Sequence, residues 1–222
     1  MSGWATRIMH GKEIYNLTSY FMYDKKIVLY GAGGHAKVIL DILEAQGKTV
    51  GAVVDDNPNL TEFMGKEVLH GVNDASPIIV SIGINGIRRK VVEKLAPTTV
   101  FETAIHPSAI VSSHATIAEG TVVMQGAIVQ SCVQVGKHSI INTGASVDHD
   151  CMLGDYVHVS PHTTLCGNVS VGEGTWIGAG AVVIPGIRIG KNCIIGAGSV
   201  VVKDLPDGVK AYGNPCKIVE EL

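Results

Sequence analysis

The chain has 222 residues, with 17 Lys and Arg against 20 Asp and Glu and a formal net charge of -3 at pH 7. No basic stripe of the kind that marks a nucleic-acid-binding protein stands out against this near balance of charge, so we expect no nucleic-acid partner. No apolar run approaches the roughly 18 residues that cross a bilayer, so we expect no membrane segment. The five cysteines show no C-x-x-C pair, which favours a reduced, cytoplasmic compartment over a disulfide framework.

Residues 1–24 form an N-terminal extension to which the sequence assigns no function. Charged side chains are scattered among its apolar ones. It lacks the apolar segment and the small-residue cleavage site of a signal peptide. We therefore expect the first folded domain to begin at residue 25.

The first domain, residues 25–104, opens with a strand, a glycine-rich turn and a helix. Residues 25–30 (KKIVLY) predict a buried parallel strand, which runs into Gly-Ala-Gly-Gly-His-Ala and a helical pattern. Such a turn lets backbone N–H groups approach a phosphate at the helix N-terminus. Asp55 and Asp56 end the next strand, where carboxylates meet sugar hydroxyls, and Gly83 follows a later strand. About 80 residues hold only half of a dinucleotide fold, so a mononucleotide or nucleotide sugar fits better than NAD.

The second domain, residues 105–206, repeats every six residues without an insertion. Seventeen consecutive positions in steps of six are Ile, Leu or Val, and a mostly small residue follows four positions after each. The seventeen are Ile105, Val111, Ile117, Val123, Val129, Val135, Ile141, Val147, Leu153, Val159, Leu165, Val171, Ile177, Val183, Ile189, Ile195 and Val201. This period fits neither an amphipathic helix nor a hairpin, and it predicts a parallel β-helix of about 5.7 triangular coils. Glycine is frequent at the second position of the hexad, as a corner favours. Residues 207–222, after the repeat, are predicted to form a C-terminal tail.

One corner of this repeat carries a candidate catalytic group. Asp148, His149 and Asp150 stand together in a single hexad, whereas most corners hold glycine and small polar residues. A neutral imidazole is a useful general base near pH 7, and an adjacent carboxylate fixes its tautomer. Gly167 lies one coil further on, so we expect open space over His149 for a thioester and a backbone N–H for an oxyanion. A solvated corner histidine is the alternative interpretation.

A metal site is a further interpretation, because His158 and His162 lie close together in the repeat. Their spacing of four does not match the ligand pattern of β-helix carbonic anhydrases, and no third histidine stands at a fitting offset. We therefore expect no metal.

The two domains together resemble a known family. Residues 142–160 (NTGASVDHDCMLGDYVHVS), preceded by Y-G-A-G-G-H and followed by G-N-P-C-K, are similar to the hexapeptide-repeat sugar acetyltransferases. These include UDP-4-amino-sugar N-acetyltransferases, GDP-perosamine N-acetyltransferases and sialic acid O-acetyltransferases. The resemblance implies an α/β nucleotide-binding domain with a small Rossmann-like parallel sheet, followed by a left-handed parallel β-helix. It also implies acetyl-CoA as co-substrate and transfer without a covalent acyl-enzyme.

The resemblance also assigns roles to individual residues of this sequence. His149 becomes the general base, and Asp150 the carboxylate that raises its basicity. Acetyl-CoA contacts are implied for His158, Gly167, Ala179 and Ala197. Nucleotide-sugar or acceptor contacts are implied for Gly33, Gly34, His35, Asp55, Asp56, Gly83 and Asn142.

A homotrimer is implied as well, because the family's coenzyme lies in the groove between neighbouring prisms. Tyr156, Trp176 and Ile184 fall outside the inward-pointing series, so we expect them on the surface that joins the copies. The leading prediction is an acetyl-CoA-dependent N-acetyltransferase acting on a nucleotide-linked 4-amino-dideoxy sugar in surface glycan biosynthesis. Two alternatives stay open, an O-acetyltransferase of sialic acid or another sugar and a non-catalytic trimeric nucleotide-sugar-binding scaffold. An NAD-binding regulator is disfavoured by the size of the first domain.

Overall fold

The computed structural model describes residues 26–72 and 76–222, so the extension of residues 1–24 lies outside the described residues. An α/β domain comes first, and a β-helix begins at the strand Ala104–Ile105. In the described part of the chain, neither helix has the length and apolar character needed to span a bilayer.

The α/β domain is built on one five-stranded sheet. Its elements in chain order are β1 (Ile27–Tyr30), α1 (Gly34–Ala45), β2 (Val50–Val54), β3 (Glu62–Phe63), β4 (Lys66–Leu69), β5 (Ile78–Val80) and α2 (Asn85–Lys94). The strand order is β3-β4-β2-β1-β5, and every pairing is parallel except the one between β3 and β4 at the edge. The predicted small parallel sheet with a βα unit at its start is therefore confirmed.

Helix α1 is packed between this sheet and the β-helix. Its apolar side chains recur at helical spacing, and Ile39, Ile42 and Leu43 are completely buried. They share one core cluster with Leu29 of the sheet and with Ile140 of the β-helix. The two domains therefore meet through a continuous apolar contact, which fixes how the glycine-rich turn at the start of α1 sits on the prism.

The β-helix consists of seventeen two-residue strands, β6 (Ala104–Ile105) to β22 (Val200–Val201), which form three parallel sheets. Each strand pairs in register with the corresponding strand of the next coil, as Ile128 with Ser146 illustrates. All seventeen predicted inward positions belong to the central core, fourteen of them buried and the first three partly buried. The predicted hexapeptide β-helix is confirmed, and it is left-handed.

The three sheets define three faces of a triangular prism. Face 1 carries the strands that include Ile140–Ile141, His158–Val159 and Trp176–Ile177. Face 2 follows along the chain, with Ser146–Val147 and its neighbours, and face 3 carries Met152–Leu153 and its neighbours. Corner 1–2 then holds residues 142–145 and the corresponding segments of later coils, corner 2–3 holds residues 148–151, and corner 3–1 holds residues 154–157.

The corners place their conformational demand at a position that the sequence analysis did not identify. Fourteen hexads in succession have a residue with positive φ at the fourth position, from Gly120 to Gly198, and half of these residues are not glycine. The glycines at the second position are needed for another reason, because a Cβ on Gly136 would lie 2.5 Å from the backbone of Gly154. The expectation that second-position glycine serves the corner conformation was wrong: it serves the close contact between stacked coils.

Residues 207–222 form a hairpin rather than a plain tail. Its strands are β23 (Val209–Gly213) and β24 (Cys216–Glu221), which pair antiparallel. β23 also pairs in parallel with Ile194–Ile195, so the hairpin continues face 1 beyond the last coil.

Tyr156 and Trp176 do not supply the free surface expected of them. Tyr156 lies under the guanidinium of Arg89, 4.9 Å from its ring centroid, and Trp176 stacks on His158 with ring centroids 5.3 Å apart. Ile184 packs against the β-helix core. Ile184 lies at corner 2–3, whereas Tyr156 and Trp176 are used within the chain because the α/β domain packs on corner 3–1 and on this part of face 1.

Candidate active site

The Asp-His-Asp corner forms a compact hydrogen-bonded unit at corner 2–3. Nδ1 of His149 lies 2.7 Å from Oδ2 of Asp150, and the His149 backbone N–H donates to Oδ1 of Asp148 at 2.8 Å. Because a carboxylate only accepts, Nδ1 carries the proton in the neutral ring and Nε2 is the basic atom. The hydrogen bond that His149 donates to Asp150 and the nearby charge of Asp148 raise the pKa of His149 above its ordinary value. With 60% of its side chain exposed, the imidazole is open to a substrate.

Gly167 lies against this imidazole, as the one-coil offset predicted. A Cβ built on Gly167 would be 2.6 Å from both Cε1 and Nε2 of His149. On the other side of the corner, Asp150 donates its backbone N–H to the carbonyl of Ser131 at 3.1 Å. The missing side chain at Gly167 therefore makes room for the ring of His149 itself. The sequence predicted that this space would be left open for the thioester, and the imidazole occupies it instead.

The glycine-rich turn leaves the first amides of α1 open. Gly33 is the N-cap, and among the described residues no side chain caps this helix and no acidic residue stands in its first turn. A Cβ on Gly33 or Gly34 would meet nothing within 4 Å, whereas one on Gly31 (φ +106°) would lie 2.8 Å from Ile82. Free N–H groups and the helix dipole make this end of α1 suited to an anionic group such as a phosphate.

The two aspartates after β2 have different surroundings. Asp55 accepts hydrogen bonds from the backbone N–H groups of Ala32 and Asn57, both at 2.9 Å, so it braces the glycine-rich turn. Asp56 accepts from the hydroxyl of Tyr30 at 2.7 Å and pairs with Lys94 at 3.1 Å. The Tyr30 hydrogen bond, together with Lys94, lowers the pKa of Asp56.

A second cluster joins the α/β domain to face 1. His158 has its Nδ1 3.2 Å from the carbonyl oxygen of Gly83 and its Nε2 3.0 Å from Nδ2 of Asn142. The ring of His35 lies 6.4 Å from that of His158. Burial, with the charge of Arg88, lowers the pKa of His35 to about 4 and that of His158 to about 3, so both rings are neutral at pH 7. Both ring nitrogens of His158 are thus engaged within the chain.

The structure brings some of the predicted residues together and keeps others apart. Gly33, Gly34, His35, Gly83 and the two aspartates surround the carboxyl ends of β1, β2 and β5. Asn142 at corner 1–2 and His158 on face 1 adjoin them. Ala179 and Ala197 are exposed at corner 1–2. His149, Asp150 and Gly167 lie at corner 2–3, the corner that does not border face 1. Within one chain the predicted base is therefore separated from the predicted nucleotide-binding edge by the prism.

Metal-ligating side chains do not converge in the described part of the chain. Within residues 26–72 and 76–222, no group of three or more His, Cys, Asp or Glu side chains is placed to hold a metal ion.

Both domains match known families and known structures. Residues 26–95 match the PglD N-terminal domain, and residues 168–203 match the bacterial transferase hexapeptide model of six repeats. A histidine mutant of perosamine N-acetyltransferase from Caulobacter crescentus, in complex with CoA and GDP-perosamine, is 44% identical. That likeness covers 88% of this chain and 97% of the other, with a TM-score of 0.83.

Two further relatives come from other bacteria. The acetyltransferase domain of PglB from Neisseria gonorrhoeae FA1090, in complex with acetyl coenzyme A, is 38% identical with a TM-score of 0.82. The likeness covers 88% of this chain and 100% of the Neisseria domain. UDP-N-acetylbacillosamine N-acetyltransferase from Bacillus subtilis (strain 168) is 44% identical over 111 residues, which are 45% of this chain and 51% of that protein. The match thus spans about half the length of the Bacillus protein.

A PglD-type α/β domain followed by a hexapeptide β-helix defines an acetyltransferase of the hexapeptide-repeat class. Within that class, the chain belongs to the family of nucleotide-sugar N-acetyltransferases that includes the perosamine and bacillosamine enzymes.

Proposed function

We propose that the protein transfers the acetyl group of acetyl-CoA to the amino group of a nucleotide-linked 4-amino-dideoxy sugar, as a step in surface glycan biosynthesis. The observation that carries this proposal is the short contact of 2.7 Å between Nδ1 of His149 and Asp150, which leaves an exposed, basic Nε2. A base of raised pKa is suited to remove a proton from an amine. The open amides at Gly33 and Gly34 supply the site for the nucleotide phosphates.

The reaction is a direct displacement. The sugar nitrogen attacks the thioester carbonyl while Nε2 of His149 takes a proton from that nitrogen, and Asp150 holds the imidazolium that results. The tetrahedral intermediate collapses by breaking the carbon–sulfur bond, and the CoA thiolate leaves and takes up a proton. The backbone N–H of Gly167 is proposed to donate to the oxyanion, and His158, Ala179 and Ala197 to line the coenzyme groove.

A homotrimer with shared sites is part of the proposal. One chain holds its base at corner 2–3 and its nucleotide-binding edge over face 1, so a complete site needs a second copy. The outward residues of face 2 are small or apolar along its whole length: Ile110, Ile128, Ser146, Thr164, Val182 and Val200. If face 2 of each copy turns toward a threefold axis, corner 2–3 of one copy meets corner 1–2 of the next. His149 then faces the partner's Asn142 and the partner's Ala179.

Location in the cytoplasm is proposed as well, because all five cysteines are free thiols in the structure. Free thiols suit a reducing compartment.

A thiol-release assay tests the activity. Purified protein is given acetyl-CoA with UDP-linked amino sugars, GDP-linked amino sugars or sialic acid, and free CoA is measured. We expect release only with a nucleotide-linked amino sugar, and a loss of about 10²–10⁴ in kcat for His149→Ala. Release with sialic acid alone would establish O-acetylation instead, and no release with any acceptor would leave a binding scaffold.

A further inference from the structure

Arg88 is a buried cation at the junction of the two domains. It lies in the first turn of α2 and is only 1% exposed. Its guanidinium donates five hydrogen bonds of 2.7–3.1 Å, and every acceptor is neutral. The acceptors are the carbonyl oxygens of Ile82, Gly83, His138 and Tyr156 and the side-chain oxygen of Asn85.

This arrangement is costly for a residue that only fills space. Moving a charge out of water without a counter-charge is strongly unfavourable, and an apolar side chain of similar volume avoids that cost. Burial lowers the pKa of Arg88 to about 10, so it stays protonated at pH 7. What the guanidinium provides is a rigid, planar set of donors that holds several backbone groups at fixed positions.

The groups that it holds belong to two places. Nη1 donates to the carbonyls of Ile82 and Gly83, at 2.9 and 3.1 Å, and these residues follow β5 beside the glycine-rich turn. Nε and Nη2 donate to the carbonyls of His138 and Tyr156, at 2.7 and 3.0 Å, on corner 3–1 of the β-helix. The nucleotide-binding edge is thereby fastened to the prism.

The Ile82–Gly83 segment also contacts the proposed nucleotide site directly. A Cβ on Gly31 would lie 2.8 Å from Ile82, and one on Gly83 would lie 3.7 Å from the ring of His35 in the first turn of α1. A displacement of this segment therefore moves the wall of the phosphate-binding turn.

We propose that Arg88 is a positioning residue for the nucleotide sugar: it holds the Ile82–Gly83 segment on the β-helix and so sets where the sugar nucleotide is bound. This inference rests on the proposed function. Because Arg88 is buried, its effect on the nucleotide sugar is transmitted through the two carbonyl groups.

Arg89→Met is the matched control for Arg88→Met. Arg89 is the next residue on α2 and also crosses to the β-helix, where it pairs with Glu173 at 2.7 Å and covers the ring of Tyr156. Of these two arginines, Arg88 donates to the carbonyls of Ile82 and Gly83 and Arg89 does not, and the Gly83 carbonyl oxygen also lies 3.2 Å from Nδ1 of His158. Both variants weaken the domain contact, but only Arg88→Met removes the guanidinium hydrogen bonds to the Ile82–Gly83 segment.

Steady-state kinetics with both substrates separates positioning from a general loss of structure. For Arg88→Met we expect the KM for the nucleotide sugar to rise about tenfold or more, with the KM for acetyl-CoA unchanged. Arg88→Lys should restore part of the loss, because one ammonium cannot serve both domains as the fork does. Arg89→Met should leave both KM values unchanged. A fall in kcat with both KM values unchanged in Arg88→Met would overturn the inference. If Arg88→Met does not fold, Arg88→Lys takes its place, and an unchanged KM for the nucleotide sugar in folded Arg88→Lys would overturn it equally.

Calorimetric titration with UDP and GDP keeps this test independent of the reaction. If the wild-type protein released no CoA with any acceptor, the proposed function would fail, whereas a weaker nucleoside diphosphate affinity in Arg88→Lys than in Arg89→Met would still support positioning. Equal affinities in these two variants would refute it.

Discussion

Gly167→Ala tests whether His149, the proposed base, must lie against a glycine. The added Cβ would lie 2.6 Å from Cε1 and Nε2 of His149, and ordinary carbon contacts are about 3.5–4.0 Å. The ring must therefore withdraw by about 1 Å, which displaces Nε2 and disturbs the 2.7 Å contact between Nδ1 and Asp150. Misplacement of a catalytic group by about 1 Å lowers the rate about 10²-fold. Gly167 is not among the residues of positive φ, so alanine fits its backbone and the fold should persist.

The assay is thiol release at saturating substrates, with the thermal midpoint measured in parallel. Gly86→Ala is the control, because a Cβ there would meet nothing within 4 Å. We expect the control to keep wild-type kcat and Gly167→Ala to lose about 10²-fold while melting near the wild-type temperature. Wild-type kcat in Gly167→Ala would refute the placement of His149 against this glycine.

Three other changes have defined outcomes. Asp150→Asn removes the main cause of the raised pKa of His149, so the acid limb of the pH–rate profile should shift to lower pH while kcat falls. His158 stays neutral in the folded protein down to about pH 3 but takes up a proton near pH 6.5 when unfolded, so the wild type should lose stability as pH falls below about 6.5. His158→Gln should reduce that slope in thermal melts at pH 7, 6 and 5, and an unchanged slope would contradict the burial argument. Val182→Glu on face 2 should dissociate the proposed trimer and abolish activity before the β-helix melts, whereas Ser170→Glu on face 3 should do neither, as light scattering with parallel assays will show.

The sequence predicted the prism well because its rule is local and strictly periodic. An Ile, Leu or Val at every sixth position can be buried in only one way once the strands of successive coils pair in register, and Ile141 and Val159 illustrate this. The sequence did not reveal why glycine is needed at the second position, because the close backbone contact that requires it is made with the neighbouring coil. Residues such as Asp150, with φ +61°, show that the left-handed corner position does not require glycine. The positions of the glycines in the sequence therefore could not identify which corner residue has positive φ.

The candidate site divides in the same way between local and distant signals. His149 and Asp150 were found because they are adjacent and stand out within one hexad. Arg88 was missed, since its partners in the β-helix are 50 and 68 residues away and nothing near it in sequence indicates a buried charge. The sequence assigned His158 to the coenzyme, but its Nδ1 also contacts the carbonyl of Gly83 in the α/β domain. The two residues are 75 positions apart, so the sequence could not predict this contact.

The strict in-register pairing of strands from successive coils limits how the length of this protein can change during evolution. Deleting one residue from the prism would turn every later inward side chain out of the core, whereas removing a whole coil would preserve each pairing. A coil lost or gained on the C-terminal side of Gly167 would move the terminal hairpin by about 4.8 Å relative to the base, the spacing of neighbouring strands. Relatives of different length should therefore differ by whole coils in this domain, with the reach from base to hairpin changing in the same discrete steps.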